Sequence, residues 1–361
     1  MRVLIVKLSS LGDVVHALPV VADLRAAHPG IAIDWVVEPG FAAVVRRCRD
    51  VAEVIECPLR RWTRAGLWRP VVRREIAAFV RRLRRERYDA VVDLQGLTKS
   101  VLVACLARGR SFGLANRTEG SSHEWPARAL AHTAIAVEPR SHALDRSREL
   151  VAKALGTRVD GRPDFGLAAN DAARRDGAPA DVARAAPRPR SVAFLHGSSR
   201  ADKLWPETHW IELGRHLLAD RRSIALPQSS AEEKERAERI AAALGSAAEV
   251  WPALDLGAFI DRLAATGGAI GVDSGPSHIA VALDLPHVQI YNFPTAWRTG
   301  PQDRHGARHQ RSIEARPTPS VQAVLAAWRA VSAGAAADVD ADADADADTD
   351  ADADADAGDR T

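Results

Sequence analysis

Short apolar segments rich in β-branched residues alternate with longer helical patterns along this chain, and the alternation runs twice. Strands separated by helices predict βαβ units, in which the strands form a parallel sheet. Two such open α/β sheets would face each other across a cleft at the carboxyl ends of their strands, where ligands bind. The predicted strands read VLIV, IAIDWVVE, VAEVIEC and YDAVVDL in the first half, and SVAFLHG, SIALP, AIGV and HVQIY in the second.

Segments without periodicity divide the chain. Residues 169–190 are rich in Ala, Pro and Arg and predict a linker between a first domain, 1–168, and a second domain that begins at 191. Residues 335–361 alternate Asp with Ala and contain no core-forming side chains, so we expect a disordered tail. The Asp-x-Asp triplets of this tail look like a metal-binding motif, but a solvated repeat offers no fixed pocket, and we expect no metal site.

The charge of the chain is unevenly distributed. From Asp338 onward there are eleven Asp and one Arg, a net charge of −10, so the overall +2 leaves +12 on the rest. A basic body indicates an anionic partner: a nucleic acid, an anionic membrane or a phosphorylated substrate. The chain lacks the interleaved aromatic residues and recognition motifs of nucleic-acid-binding proteins, so we expect no nucleic acid partner, although that class remains the non-enzymatic alternative.

The start of the chain and its cysteines favour a cytosolic protein. The first apolar run is four residues long, which is too short for a signal peptide, and no stretch approaches the roughly 20 apolar residues that cross a bilayer. Cys48, Cys57 and Cys105 form neither a C-x-x-C pair nor a metal-ligand cluster, so we expect reduced thiols.

The stretch GVDSGPSHIAVAL predicts a strand, a tight turn and a helix. The strand delivers Asp273 to its carboxyl end, and Ser274 and Gly275 form the turn that opens the helix. Backbone N–H groups and the positive helix end then point at one place, which suits an anion. The alternative is an N-cap serine followed by a turn glycine, although this alternative requires neither Asp273 nor His278.

The stretch LHGSSRADKLWPETHW has a similar plan. Ser198 and Ser199 follow a strand, and Lys203 precedes the next helix, so two such turns and one ammonium group could enclose a diphosphate. Glu233 lies in the first turn of the following helix, where a carboxylate can accept both hydroxyls of a ribose. The alternatives are a solvated loop lysine and an acid that stabilises the helix dipole.

The opening loop, KLSSLGD, differs from the known nucleotide-binding loops. It is neither G-x-x-x-x-G-K-[ST] nor the three-glycine dinucleotide fingerprint, so ATP binding and an NAD-dependent oxidoreductase are unsupported. Asp13 stands at the start of a helix that we predict over residues 14–28. It is either an N-cap or a general base that takes a proton from a sugar hydroxyl across the cleft.

These motifs together resemble the ADP-heptose:lipopolysaccharide heptosyltransferases, glycosyltransferase family 9, over nearly all of residues 1–330. The opening motif with Ser9, Ser10, Gly12 and Asp13 favours the type I enzymes over the type II enzymes. The segments that carry the resemblance are MRVLIVKLSSLGDVVHALP, DWVVEPGF, RRW, YDAVVDLQGLTKS, RSRELVAKALG, HGSSRADKLWPETHW and GVDSGPSHIAVAL.

The resemblance implies a GT-B fold, with two Rossmann-like domains facing a central cleft. Residues 1–168 would bind the acceptor, 191–315 would bind the nucleotide sugar, and the last helix, 316–334, would return to the N-terminal domain. The implied reaction moves L-glycero-D-manno-heptose from ADP-heptose to the inner Kdo of Kdo2-lipid A, with inversion and with neither metal nor cofactor. The alternative within the family is a heptose transferase that acts at another inner-core position.

The resemblance also implies roles for individual residues. Asp13 matches the catalytic base, Glu233 the ribose contact and Leu254 an apolar residue near the adenine. The other donor-binding positions are Ser198, Ser199, Lys203, Asp273, Ser274, Gly275 and His278. Serines stand at 198, 199 and 274 where the family often has threonines, which preserves the hydroxyls. The family's acceptor arginine has no clear match here, and Arg117 is a candidate to replace it.

Basic segments of the first half predict the acceptor side. The candidates for acceptor contact are Arg60, Arg61, Arg64, Gln95 and Lys99. Kdo carboxylates and lipid A phosphates are anionic, so we expect a cytoplasmic protein that associates peripherally with the cytoplasmic face of the inner membrane. The alternative for any of these arginines is a solvated helix face, because exposed charges usually contribute little. Trp62 and Trp68 either anchor at the membrane interface or pack inside the domain.

Overall fold

The computed structural model describes residues 1–121, 123–159, 161–168, 190–302, 308–333 and 335. The predicted linker and the predicted tail, apart from residues 190 and 335, lie outside the described residues.

The first half forms a parallel six-stranded sheet with helices on both faces. Its strands are β1 (Arg2–Val6), β2 (Ala32–Val37), β3 (Val51–Glu56), β4 (Ala90–Asp93), β5 (Ser111–Leu114) and β6 (Thr133–Ile135). Its helices are α1 (Leu11–Ala17), α2 (Pro19–Ala27), α3 (Ala42–Arg46), α4 (Leu59–Ala65), α5 (Pro70–Leu83), α6 (Thr98–Leu106), α7 (Trp125–Leu130) and α8 (Ala143–Leu155).

The second half repeats this plan. Its strands are β7 (Ser191–Leu195), β8 (Ser223–Leu226), β9 (Ala248–Val250), β10 (Ala269–Val272), β11 (His287–Tyr291) and β12 (Gln310–Glu314). Its helices are α9 (Glu207–Ala219), α10 (Ala231–Leu244), α11 (Leu256–Ala264), α12 (Gly275–Ala282), α13 (Ala296–Thr299) and α14 (321–333).

The two sheets have the same strand order. The first runs β3-β2-β1-β4-β5-β6, and the second runs β9-β8-β7-β10-β11-β12, with every pair parallel. This is the doubly wound Rossmann order. The first three strands are added toward one edge of the sheet and the last three toward the other, which leaves a crevice at the carboxyl ends of the first and fourth strands. The predicted α/β class and GT-B fold are therefore confirmed.

The last helix, α14, does not return to the N-terminal domain as the sequence comparison implied. Its buried face belongs to the core of the second domain, where Val324, Trp328 and Val331 pack with residues of β7 and β10. The reason is complementary shape. A side chain at Gly268 would come within 2.7 Å of the Trp328 ring, so the indole occupies the space that this glycine leaves.

Other local predictions need correction. The helix predicted over 14–28 is two helices that meet at Leu18, because Pro19 has no N–H and cannot continue the first. HVQIY is not the last strand, since β12 pairs beside it. The strands β5, β6 and β9 were not predicted, because they have only three or four residues each and carry few of the apolar β-branched side chains that mark a buried strand.

Candidate active site

Four loops meet where the two sheets face each other. Two belong to the first domain and follow β1 and β4, which are neighbours at the switch point of that sheet. The other two belong to the second domain and follow β7 and β10. Asp13 lies after β1, Gln95 after β4, Lys203 after β7 and Asp273 after β10. The strand order therefore gathers residues that are distant in sequence.

Asp13 is held in place by its own loop. Its carboxylate accepts hydrogen bonds from the backbone N–H and the hydroxyl of Ser10, at 3.1 and 2.8 Å. The side chain is 41% exposed, so a reactant can approach it. Burial acts to raise the pKa of Asp13, but Lys7, the two Ser10 donors and Arg146 outweigh that effect and lower the pKa below its ordinary value. Asp13 is therefore an ionised carboxylate at neutral pH.

Two buried cations beside Asp13 were not singled out from the sequence. The Lys7 ammonium lies 4.0 Å from Asp13 Oδ1 and donates to the Leu94 carbonyl at 2.9 Å. The Arg146 guanidinium, on α8, donates to the Thr118 hydroxyl at 3.1 Å and is only 5% exposed. Burial lowers the pKa of Arg146 despite the favourable field of Asp13. Arg146 lies on the apolar face of α8, four residues before Leu150, and this position is the feature of the sequence that indicates its burial.

Across the cleft, Lys203 and Asp273 form an ion pair. Lys203 Nζ lies 2.6 Å from Asp273 Oδ2, and the Asp273 side chain is 6% exposed. His278 Nε2 lies 3.5 Å from the other carboxylate oxygen, which also accepts from the Thr299 hydroxyl at 3.4 Å. Burial acts to raise the pKa of Asp273, but His278 and Lys203 reverse this effect and place the pKa well below its ordinary value. This ion pair holds the Lys203 ammonium group beside the N-terminus of α12.

The N-terminus of α12 has unused hydrogen-bonding capacity. Ser274 occupies the N-cap position but makes no side-chain capping bond. Its hydroxyl is buried and has no partner among the described residues. A buried polar group normally finds a partner, so this hydroxyl and the first N–H groups of α12 are suited to receive an anion. Ser198 and Ser199 lie partly buried and exposed, respectively, in the neighbouring loop after β7.

Glu233 joins the same region from α10. Its Oε2 accepts from the backbone N–H and the hydroxyl of Ser229, at 2.8 and 2.7 Å. A side chain at Gly197 would collide with its Oε1, so the carboxylate lies directly against the loop after β7. Leu254, in the loop after β9, is half-buried against the core.

The predicted acceptor residues separate into two groups. Arg60, Arg61 and Arg64 lie on α4, which follows the edge strand β3, and all three are exposed. Arg61 forms an ion pair with Glu75, whose carboxylate also accepts from the Trp62 indole at 2.7 Å. Trp62 is 4% exposed and packs inside the domain, which settles its two alternatives.

Gln95 and Lys99 belong to the loop and helix after β4. The Gln95 side-chain oxygen accepts from the backbone N–H groups of Leu8 and Ser9, at 2.8 and 3.3 Å. Gln95 therefore supports the loop that carries Asp13. Lys99 is half-buried in the first turn of α6. Arg117, the candidate substitute for the family's acceptor arginine, is exposed and precedes Thr118, the hydrogen-bond partner of Arg146.

The two sides of the cleft touch. The rings of His16, on α1, and His278, on α12, have centroids 4.3 Å apart. Within the parts of the chain that the structure describes, no three His, Cys, Asp or Glu side chains are clustered so that they could hold a metal ion. In the same parts, no helix is long and apolar enough to cross a membrane. A carboxylate on one Rossmann-like domain therefore faces an ammonium group and a helix N-terminus on the other, which is compatible with the GT-B glycosyltransferase that the sequence resemblance implied.

Comparison with known proteins identifies the family. The model of glycosyltransferase family 9 (heptosyltransferase) matches residues 76–325. Lipopolysaccharide heptosyltransferase 1 of Pseudomonas aeruginosa is 39% identical over 307 residues, which cover 84% of this chain and 82% of the relative. The chain therefore belongs to glycosyltransferase family 9, and it is a glycosyltransferase.

Two solved structures are similar over the whole fold. Escherichia coli heptosyltransferase WaaC with ADP has a TM-score of 0.75 and 34% identity, and the match covers 90% of this chain and 98% of that one. The same enzyme with ADP-2-deoxy-2-fluoro heptose has a TM-score of 0.73 and 35% identity, and the match covers 91% and 98%.

Proposed function

We propose that this protein transfers L-glycero-D-manno-heptose from ADP-heptose to the inner Kdo of Kdo2-lipid A, with inversion at the anomeric carbon and without a metal ion. The relative from Pseudomonas aeruginosa is a lipopolysaccharide heptosyltransferase 1, and the similar solved enzyme was studied with ADP and with an ADP-heptose analogue. The observation that carries the proposal is the placement of Asp13 opposite the Lys203–Asp273 pair at the two facing switch points.

The reaction is a single displacement. The acceptor hydroxyl attacks the anomeric carbon, its proton passes to the Asp13 carboxylate, and the bond from that carbon to the diphosphate oxygen breaks. Asp13 is ionised and accessible, as a base requires. ADP leaves with the electron pair of the broken bond, and its growing negative charge needs stabilisation by groups already in place.

The donor loops supply that stabilisation. Lys203 provides a point charge, and the hydroxyls of Ser198, Ser199 and Ser274 with the first N–H groups of α12 provide hydrogen bonds to the phosphates. The unpartnered hydroxyl of Ser274 supports this role. Asp273 orients Lys203 through the 2.6 Å contact.

The remaining donor contacts follow from position. Glu233 faces the loop after β7 and would accept the ribose hydroxyls, exchanging its Ser229 bonds for them. Leu254 would pack against the adenine, Gly275 would let the backbone approach the phosphates, and His278 would line the sugar side of the site.

For the acceptor, we propose that the basic surface of the first domain binds its anionic groups. Arg60, Arg61 and Arg64 would contact Kdo carboxylates or lipid A phosphates, with Lys99 from the other flank. Gln95 would act through the Asp13 loop that it supports.

Membrane contact is the last part of the proposal. Between α4 and the first turn of α5 the chain exposes Leu67 at 48%, Trp68 at 81% and Val71 at 59%, surrounded by arginines. Exposed aromatic and aliphatic side chains with basic neighbours suit the surface of an anionic leaflet. We propose that this tip rests on the cytoplasmic face of the inner membrane.

The test of the reaction is direct. Purified protein is incubated with ADP-heptose and Kdo2-lipid A, and the product is weighed by mass spectrometry, with and without EDTA. One added heptose and no effect of EDTA are expected. Asp13→Ala should bind ADP with nearly wild-type affinity but lose turnover. Near-normal turnover of that variant would refute the assignment of Asp13.

The acceptor position requires its own comparison. Kdo2-lipid A and the same acceptor already carrying one heptose are offered separately. Transfer to the first alone is expected. Transfer to the second alone would establish the alternative, a heptose transferase that acts at another inner-core position.

A further inference from the structure

The helix that carries Asp13 and the helix that opens the donor site meet through two glycines. A side chain at Gly12, on α1, would lie 2.6 Å from the His278 ring, and a side chain at Gly275, on α12, would lie 2.6 Å from the Leu11 side chain. Real Cβ atoms are essentially never found that close to another heavy atom. Each glycine thus accommodates a side chain from the opposite domain.

Neither glycine is required by its own backbone. No left-handed φ angle occurs at Gly12 or Gly275, so an alanine could adopt either conformation. Helix propensity even favours alanine at Gly12, by roughly 1 kcal/mol. The contact across the domain boundary is therefore the physical reason for glycine at Gly12, and at Gly275 it adds to the room that the proposed phosphate site needs.

We propose that Gly12 and Gly275 are positioning residues that set the distance between the Asp13 carboxylate and the donor-phosphate loop by letting α1 and α12 pack directly together. This inference rests on the proposed function of the site. It adds that the alignment of the two reactants is controlled by Gly12 and Gly275, which have no side chain with which to contact either reactant.

The contacts lead from one reactive group to the other. Gly12 precedes Asp13 and supports the His278 ring, His278 contacts Asp273, and Asp273 holds Lys203 at 2.6 Å. A displacement of the His278 ring therefore moves the partner of the lysine that faces the leaving group.

The contact between α1 and α12 is one of shape. His16 packs on His278 from the same helix as Gly12, and the Nδ1 atoms of both rings have no hydrogen-bond partner among the described residues. Burial, with His278 and His142, lowers the pKa of His16 far below its ordinary value, so His16 is neutral and does not repel its neighbour. Packed interiors resist added volume, so one methyl group is enough to disturb this contact.

The size of the effect follows from the geometry. Ordinary contact begins near 3.4 Å, so an added methyl group at 2.6 Å requires the ring or the helix to move by close to 1 Å. A misplacement of about 1 Å can cost about 10²-fold in rate. Gly12→Ala should therefore lower kcat about 100-fold. Its affinity for ADP should fall by less, about ten-fold at most, because Lys203 is displaced through Asp273 but is still present.

The matched control is Gly40→Ala. Gly40 is an exposed glycine of the same domain, it has no left-handed φ angle, and nothing lies within 4 Å of an added Cβ. Its kcat should equal that of the wild type. The unfolding free energy of Gly12→Ala should not fall below that of this control by more than about 1 kcal/mol, because the gain in helix propensity offsets the strain.

Rescue distinguishes positioning from a general structural defect. In a His278→Ala background there is no ring to displace, so adding Gly12→Ala should cost less than about three-fold. Leu11→Ala should likewise restore part of the kcat lost in Gly275→Ala, because it removes the clash with Leu11 but leaves the methyl group at the phosphate site. Coupling of this kind is expected only between residues in contact. Wild-type turnover of Gly12→Ala, an equal loss in both backgrounds, or no rescue by Leu11→Ala would overturn the proposal.

A second readout separates this proposal from the proposed function. Proton–carbon NMR compares the His278 ring signals of Gly12→Ala and Gly40→Ala with ADP bound. A shift of these signals in Gly12→Ala alone is expected, and ring signals identical to those of the control would overturn the proposal. If wild-type protein transfers no heptose, the proposed function fails, while the NMR result still reports on the contact between α1 and α12.

Discussion

Replacement of Lys203 by alanine tests the donor site most sharply, because the structure gives this lysine two roles. It faces the proposed diphosphate, and it neutralises Asp273, whose side chain is 6% exposed. Removing one partner of a buried ion pair typically costs about 3–5 kcal/mol. Lys203 is itself 20% exposed, and His278 and Thr299 remain on the carboxylate, so we expect Lys203→Ala to lose about 2–3 kcal/mol of unfolding free energy.

The double variant Lys203→Ala/Asp273→Asn separates the two roles. Without a charge at 273 the burial penalty disappears, so urea unfolding should place the double variant within about 1 kcal/mol of the wild type. Its kcat with ADP-heptose should stay about 10²–10³-fold low, since the group that stabilises the leaving diphosphate is still missing. ADP affinity, measured by calorimetry, should be about 10- to 100-fold weaker, as expected for a lost charge-assisted bond.

Two outcomes would refute this reasoning. If Lys203→Ala were as stable as the wild type, the ion pair would not compensate the burial of Asp273. If the double variant regained normal kcat, the ammonium group would serve only to neutralise Asp273 and would not act on the leaving group.

Three further predictions concern other parts of the chain. Ser274→Ala should bind ADP about 5- to 20-fold more weakly by calorimetry. Its unfolding free energy should stay unchanged, because the hydroxyl has no hydrogen-bond partner among the described residues to lose. Unchanged ADP affinity would remove Ser274 from the donor site. Gly268→Ala should lose about 2–4 kcal/mol in urea unfolding, since Gly268 has a φ of +150° and its Cβ would lie 2.6 Å from the Pro286 carbonyl and 2.7 Å from Trp328. An unchanged midpoint would argue against both the strain and that packing. Burial raises the pKa of Asp93 to about 6, above its value of about 4 in the unfolded chain, so its contribution to stability is fully present below pH 4 and is lost as the pH rises through 6. The wild type should therefore lose stability relative to Asp93→Asn between pH 4 and 7, and a difference that stays constant would contradict the shift.

Much of the architecture is readable in local sequence. The alternation of short apolar segments with helical ones was enough to predict two α/β halves, because buried parallel strands and amphipathic helices leave periodic signatures. The turn that begins at Asp273 was also readable, because a polar group directly after a buried strand can lie only at the edge of a sheet. Short strands such as β6 and β9 were not predicted, since a segment of three residues is too short to show a periodic pattern of apolar side chains.

The partnerships within the site depend on the tertiary fold. Nothing near Gln95 shows that its amide supports the loop before Asp13, because that contact exists only once β4 pairs with β1. The ion pair of Lys203 with Asp273 likewise needs β10 beside β7. Strand order is decided by the packing of whole sheets, so local sequence does not encode it.

The sequence by itself determined the class of fold, the strand-end motifs and the residue types that they carry, because each of these is set by a few neighbouring side chains. Only the tertiary structure decided that α14 packs on the second domain, that Arg146 is buried beside Asp13, and that Gly12 accommodates His278. The physical reason is that burial and close contact are collective. A guanidinium, an imidazole or a missing side chain acquires its role from groups that lie a hundred or more residues away along the chain.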